Sequence, residues 1–273
     1  MCKNYVKCID KNYLLNELVL KDAEQIVAEL RVFSTLGRPS ISLSHALNGI
    51  YYLLKTGLQW AALPYCFGSK SSIHRVFQKL RRAGFFEKLW HKELQRYDQI
   101  QGLALDVQTS DCTHIKAPLG QQKTGNSPVD RRKLGTKRSI ITDKNGVVIG
   151  CSLDGGNRHD SILFDASIRS IPKWLRQPRY KEMHLDSAYD SKKIKTILFN
   201  FYYVPRITKN RRHSKIDFIQ KKERKRWVVE SSHSWMNRFR RLLIRFEKLA
   251  NNYLALMQFA LSIITFNKSR VSG

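Results

Sequence analysis

The alternation of apolar and polar positions changes character twice along the chain. Up to about residue 100, apolar side chains recur at helical steps and no stretch alternates as a strand does. Leu20 to Phe33 predicts a helix, with a break at Gly37-Arg38-Pro39-Ser40. Leu43, Leu47, Ile50 and Leu54 stripe a second helix, capped by Ser42 or Ser44 and closed by Gly57. Trp60 and Leu63-Pro64 form an apolar plug in a loop. Ser69 to Arg82 turns Ile73, Val76, Phe77 and Leu80 inward and ends at Gly84, and Phe86 to Tyr97 makes a fourth helix.

After Gln101 the period shortens. Leu103, Leu105 and Val107 alternate with polar neighbours, predicting a strand that runs into Thr109-Ser110-Asp111 and ends there. Ala117 to Thr136 is a Gly-, Pro- and Lys-rich basic loop without periodicity. Lys137–Thr142 and Val147–Leu153 flank Asp143-Lys144-Asn145-Gly146, and Asn-Gly between two β-rich runs predicts a hairpin. Asn157 to Asp160 is a loop, and a helix runs from Ser161 to about Ile171. A short strand Met183–Asp186, a helix Ser191–Asn200 and a strand Phe201–Pro205 follow, then a basic connector from Arg206 to Arg226. Three antiparallel strands, then alternating helix and strand, then helices, predict an α/β ribonuclease H-like mixed-sheet domain over 101–273, preceded by an all-helical domain over 1–100.

The third regime is helical again. Val228, Trp235, Phe239, Leu242, Phe246 and Leu249 recur at helical period, predicting one long amphipathic helix from Arg226 to Glu247. A polar row, Arg226, Glu230, Ser234, Asn237 and Arg241, lies away from that stripe, and Glu230 is the only acid from Lys225 to Phe246. A surface ion pair with Arg226 is the plain reading of that glutamate. A last helix, Tyr253 to Phe266, closes the pattern.

Charge then narrows the function. Lys plus Arg number 49 against 22 Asp plus Glu, a formal net charge of +27, which makes nucleic acid the expected partner through counterion release. The outer face of the third helix carries Lys70, His74, Arg75, Gln78, Lys79, Arg81 and Arg82, as helix-turn-helix binding units do. The five cysteines are odd in number, scattered and without a C-x-x-C pair, which suits free thiols rather than a zinc site. The longest apolar run, Leu254 to Phe266, is interrupted by Gln258 and Ser262 and is too short for a membrane span. A soluble, cytoplasmic, nucleoid-associated protein is expected.

Strand ends gather carboxylates at one rim of a sheet, and a late helix can add a third. Three such groups repel unless a cation sits among them, and hard oxygen donors suit Mg²⁺ or Mn²⁺, commonly as two ions. Asp111, Asp186 and Glu230 fit, but Asp106, Asp154, Asp160 and Asp190 lie close by, and spacing does not choose among them.

Longer blocks carry a resemblance. These are Tyr51-Tyr52, Thr56-Gly57-Leu58-Gln59-Trp60, Leu63-Pro64, Asp111 to Ala117, Asp130 to Gly135, Thr142 to Gly146, Gly156 to Ser161, Leu185 to Ser191, and Val229-Glu230 through Trp235, Arg238, Arg240-Arg241-Leu242 and Glu247. In that order they resemble bacterial insertion-sequence DDE transposases, the group named after insertion sequence five. The resemblance implies that Asp111, Asp186 and Glu230 are the catalytic and metal-binding triad, with His159-Asp160 near the site but outside it. Arg75, Lys79, Arg82, Arg226, Arg240 and Arg241 are the expected DNA contacts. The sequence departs from the group at Ser231-Ser232, where Arg-Thr is usual, and related enzymes have Tyr and a basic residue where Glu223 and Asn237 stand. The implied activity is metal-dependent cleavage and strand transfer at terminal inverted repeats, by a homodimer or larger assembly on double-stranded DNA. A decayed copy acting only as a DNA-binding protein, or a nuclease that never joins, is the alternative.

Overall fold

The apolar stripes of the first hundred residues become helices whose ends are set by their caps. The computed structural model describes residues 10–33, 40–128, 130–208 and 227–271. Helix α1 spans Glu17–Leu30, three residues earlier than the stripe suggested, because Asn16 accepts from the Leu18 N–H and Arg31 ends it in the left-handed region. Helix α2 spans Leu43–Thr56, with Ser42 as N-cap and Gly57 closing it at φ 78°. Helix α3, Lys70–Arg82, is capped by the Ser69 hydroxyl, and α4 covers Phe85–Gln101. Gly49 on α2 lets the layers close: a Cβ there would stand 3.1 Å from Ile73 and 3.2 Å from Phe67. Contacts divide the chain into two units. The first holds residues up to Tyr97, Met236–Ile244 and everything from Asn251 onward; the second holds Asp98–Trp235 and Arg245–Ala250. The second begins at Asp98, and the residues from Asn251 onward cluster with the N-terminal helices.

The second unit is a mixed sheet: β1 Val107–Lys116, β2 Gly125–Asn126, β3 Leu134–Thr142, β4 Val148–Gly155, β5 Lys181–Leu185 and β6 Tyr203–Ile207. β1, β3 and β4 pair antiparallel, β1, β5 and β6 parallel, and β2 joins the first two residues of β3. The order β4-β3-β1-β5-β6 is the ribonuclease H-like arrangement expected. The alternation is not a strand from Leu103 to Asp106, which is a turn after α4 held by the Asp98 carboxylate on the Leu103 N–H at 2.8 Å; only Val107 of it joins β1. β1 instead occupies the polar residues beyond, so Asp111 lies mid-strand rather than at a strand end. The Asn145-Gly146 hairpin forms as expected, with Gly146 at φ 75°. Helix α5, Asp160–Arg169, packs on β3 and β4, and α6, Lys192–Asn200, lies beside it and against β6.

Helix α7 covers only Trp227–Asn237, so the long helix of the sequence reading is divided. Its buried row is Val229, Ser232, His233 and Met236, not the Val228–Trp235 stripe, and Trp235 is exposed. Continuing that row would bury residues 240 and 243, yet the chain buries Phe239, Arg241 and Leu242. One straight helix cannot present both rows, and the backbone breaks into a 3-10 turn at Arg240–Leu242 after an extended Phe239. Helix α8, Ala250–Arg270, completes the first unit, with Phe259 against Phe86 at 5.4 Å. Among the described residues no helix is long and apolar enough to cross a membrane.

Candidate active site

β1 is polar because two packed layers need its two faces for different work. Side chains alternate between faces, and in-register neighbours share one. Cys112, Ser139 and Ser152 are cross-strand partners on the face that receives α5. There Ser167 of α5 donates to Ser139 at 2.8 Å, and Tyr189 donates to the Cys112 sulfur at 3.3 Å. Burial pushes the Cys112 thiol up to about 12, helped by Asp160 and Asp111, so it is no nucleophile.

Asp111 points to the other face. It pairs with Ile140 on β3, while on the opposite side the parallel register matches Thr109 with His184. Carried two residues further, that register sets Asp111 level with Asp186, on neighbouring strands roughly 4.8 Å apart. Asp186 directly follows β5 in an extended conformation and accepts from the Ser187 N–H at 2.6 Å. Both carboxylates are half-exposed.

Helix α7 packs on this same face. Arg138, two residues before Ile140, turns inward with a fully buried guanidinium. Its Nε and Nη2 reach His233 Nδ1 at 3.3 and 3.2 Å, and Nη2 reaches the His233 carbonyl at 3.5 Å. Because both contacts need an acceptor at Nδ1, the ring proton sits on Nε2. Nε2 has no partner in strict hydrogen-bond geometry, but the ring faces the Asp111 backbone closely enough to favour its protonated form. Burial outweighs that contact, and with Arg138 it pulls His233 down to about 3, leaving the ring neutral. Ser232 donates to the Gly146 carbonyl at 2.9 Å, so the hydroxyl at that departure from the family pattern anchors the helix to the hairpin turn. Glu230 is exposed one helical turn before His233. Sequence reasoning missed Arg138 and His233; the i,i+3 spacing of Glu230 and His233 was their only local signal.

The rival acids are used elsewhere. Asp106 pairs with Arg179, Asp190 with Lys195 at 2.6 Å, and Asp154 accepts from its neighbour's N–H at 2.7 Å. Asp160 accepts from Lys137 Nζ at 2.5 Å on the α5 face, away from Asp111. Among the described residues no three His, Cys, Asp or Glu side chains are gathered closely enough to hold an ion. The register, continued past Thr109 and His184, points Asp111 and Asp186 to the same level, and Glu230 lies on α7. Arg226 and Glu223 lie outside the described residues.

In the first unit, Arg75, Lys79 and Arg82 are exposed on the outer side of α3, and Arg240 is exposed on its 3-10 turn. Arg82 lines a cavity of about 360 Å³ with Arg81, Glu87, Asn251 and Gln258. Arg241 corrects its expected role as a surface DNA contact: it is buried and donates to the Leu58 carbonyl at 3.0 Å, fastening the 3-10 turn to the end of α2.

Comparison with known proteins adds the following. The family described as "Transposase DDE domain" matches residues 97–264, and the one described as "Putative transposase of IS4/5 family" matches 23–90. The chain is similar to the "Putative transposase for insertion sequence element IS402" of Burkholderia cepacia, 34% identical over 158 residues, covering 55% of this chain and 72% of that protein. It is also similar to an uncharacterized insertion element IS402 protein of the same organism, 31% identical over 94 residues, 34% of this chain and 64% of that one. Among solved structures, the Mos1 transposase paired-end complex shares 16% identity over 63% of this chain and 61% of that chain, at TM-score 0.27. A piggyBac transposase synaptic complex shares 10% over 94% and 73%, at TM-score 0.41. The chain thus spans under two thirds of the shorter IS402 protein and of the Mos1 chain.

Proposed function

The chain belongs to the Transposase DDE domain family, and from that premise we propose that it cleaves DNA at the ends of an insertion element and joins those ends to target DNA. What supports the site assignment is the parallel register of β1 with β5, matched as far as Thr109 and His184, which continued by two residues would bring Asp111 level with Asp186, on the face where the helix bearing Glu230 docks. The three side chains offer only hard oxygen donors, which fit Mg²⁺ or Mn²⁺ in a way that thiols or imidazoles would not. A divalent ion bound there supplies the charge that activates an attacking oxygen and steadies a leaving one. Asp111 is held in β1 by its pairing with Ile140 of β3, and Asp186 by its own turn, so each donor has a fixed backbone. Glu230, exposed on α7, keeps the side-chain freedom to complete the set. Arg75, Lys79, Arg82 and Arg240 supply phosphate contacts, with residues 1–100 as the helix-turn-helix-like binding domain and a homodimer or larger assembly acting on the two ends.

The test is a pair of substitutions. Asp111→Asn and Asp186→Asn should each cut Mg²⁺-dependent nicking of a duplex carrying the inverted repeat beside the gene by at least 10³-fold. Gel-shift affinity for that duplex should stay within about threefold. Wild-type nicking by either variant, or by the wild type in chelator, would sink the assignment.

A further inference from the structure

The two polar residues buried on α7 reach the sheet unit at two different points, the β3–β4 turn and the β3–β1 pair. Its inward row has two apolar members, Val229 and Met236, and between them two polar ones. Apolar contacts alone let a helix slide or roll on a sheet at small cost, since dispersion is not directional. Ser232 on the Gly146 carbonyl fixes one point, and His233 fixes another. The ring is grasped from one side by Arg138, whose β3 neighbour Ile140 is the cross-strand partner of Asp111, and from the other it faces Asp111's own backbone. Burying a guanidinium in an otherwise apolar layer is costly unless it is well satisfied, and an apolar pair of similar volume would pack at least as well. Here that cost is met at the one spot where helix and strand each carry a proposed ligand.

We propose that His233 is a positioning residue that, held by Arg138, locks the helix bearing Glu230 onto the strand bearing Asp111. The inference rests on the carboxylate reading above. Neutral His233 accepts from Arg138 through Nδ1 and turns its ring toward the Asp111 backbone, so one ring spans β3, β1 and α7. Glu230, one turn away on the same helix, inherits its distance from Asp111 through that ring. Asparagine carries an acceptor near the Nδ1 position and glutamine a donor near Nε2, so each keeps one half of the lock. Phenylalanine fills the space and keeps neither.

Full-length wild type, His233→Phe, His233→Gln and His233→Asn are compared in four measurements: melting temperature, affinity for the inverted-repeat duplex, nicking rate, and Mn²⁺ binding followed by electron paramagnetic resonance with that duplex present. The expected result for His233→Phe is duplex affinity within twofold of wild type, nicking at least tenfold slower, and Mn²⁺ binding at least threefold weaker. His233→Gln or His233→Asn should recover part of both losses. If His233→Phe melts more than about 10 °C below wild type, the comparison rests on the two polar variants, whose Mn²⁺ affinity must still fall between wild type and the metal-free limit. Wild-type nicking and Mn²⁺ affinity in His233→Phe overturn the inference. So does a nicking loss that follows melting temperature across the three variants with Mn²⁺ affinity unchanged. Asp111→Asn run alongside separates the two readings: if it nicks normally, the carboxylate assignment fails whatever His233 does, and if it is dead while His233→Phe is normal, only the positioning role fails.

Discussion

Burial moves the Glu93 carboxyl from 4.5 to about 7, against the pull of Arg96 and with a further push from Asp22. A carboxylate raised in the folded state contributes its full stability below its unfolded value and loses it as pH rises through the folded value. The window is therefore pH 4.5 to 7. His91 and His233, drawn down by burial to about 4 and about 3, act in the opposite sense below pH 6.5, so the informative quantity is a difference between variant and wild type. Glu93→Gln minus wild type, from urea unfolding, should rise by about 1–3 kcal/mol between pH 4.5 and pH 8; a flat difference would mean that Glu93 is ionised when folded. At this scale identical residue types part ways. Glu230 is exposed, whereas Glu247, read from sequence as the last residue of the same helix, is buried in the segment after the 3-10 turn.

Among the elements, the β3–β4 hairpin is tied through its own turn. Asp143 is fully buried, and its carboxylate accepts from the Asn145 and Val147 N–H groups at 2.9 and 2.8 Å and from Ala104 at 3.1 Å. The side chain that shapes the turn thereby also fastens the segment leading into β1. Asp143→Ala leaves those donors without it and should cost about 2–4 kcal/mol in urea unfolding. A loss under about 0.5 kcal/mol would show that water replaces the carboxylate. The segment Arg245–Ala250 is tied as tightly: the Arg245 guanidinium is fully buried and donates to Thr136 at 2.7 Å and to the Gln122 carbonyl at 2.6 Å. A continuous helix from Arg226 to Glu247 could not make those contacts.

Over the whole molecule the excess of positive charge sets how binding responds to salt. Ten Lys and Arg lie between Arg206 and Arg226, and further cations line α3. With many phosphate contacts, duplex affinity should fall by about 10³-fold or more between 50 and 200 mM salt. Replacing Arg75, Lys79 and Arg82 together by Ala should reduce the slope of log K against log salt by about 2 to 3, near 0.9 per phosphate released. Arg241→Ala should instead lower stability and leave the slope alone, because its guanidinium is engaged at Leu58. An unchanged slope in the triple variant would remove α3 from the interface.

The residues by themselves determined whatever depends on near neighbours in the chain. Helical stripes located α2, α3 and α4, Ser69 and Gly57 set ends, and Asn145-Gly146 made the hairpin. The order of elements declared the ribonuclease H-like sheet, and the ordered blocks declared the family. Tertiary structure decided what depends on partners far away. β1 begins at Val107 because a central strand draws its stability from two neighbours, so a polar run outweighed the better alternation before it. The face α7 buries, the break after Asn237 and the burial of Arg241, Arg245 and Glu247 answer to surfaces built from other segments. The parallel pairing of β1 with β5 belongs there too. Thr109 and His184, 75 residues apart, become neighbours only through that register, which no local pattern encodes.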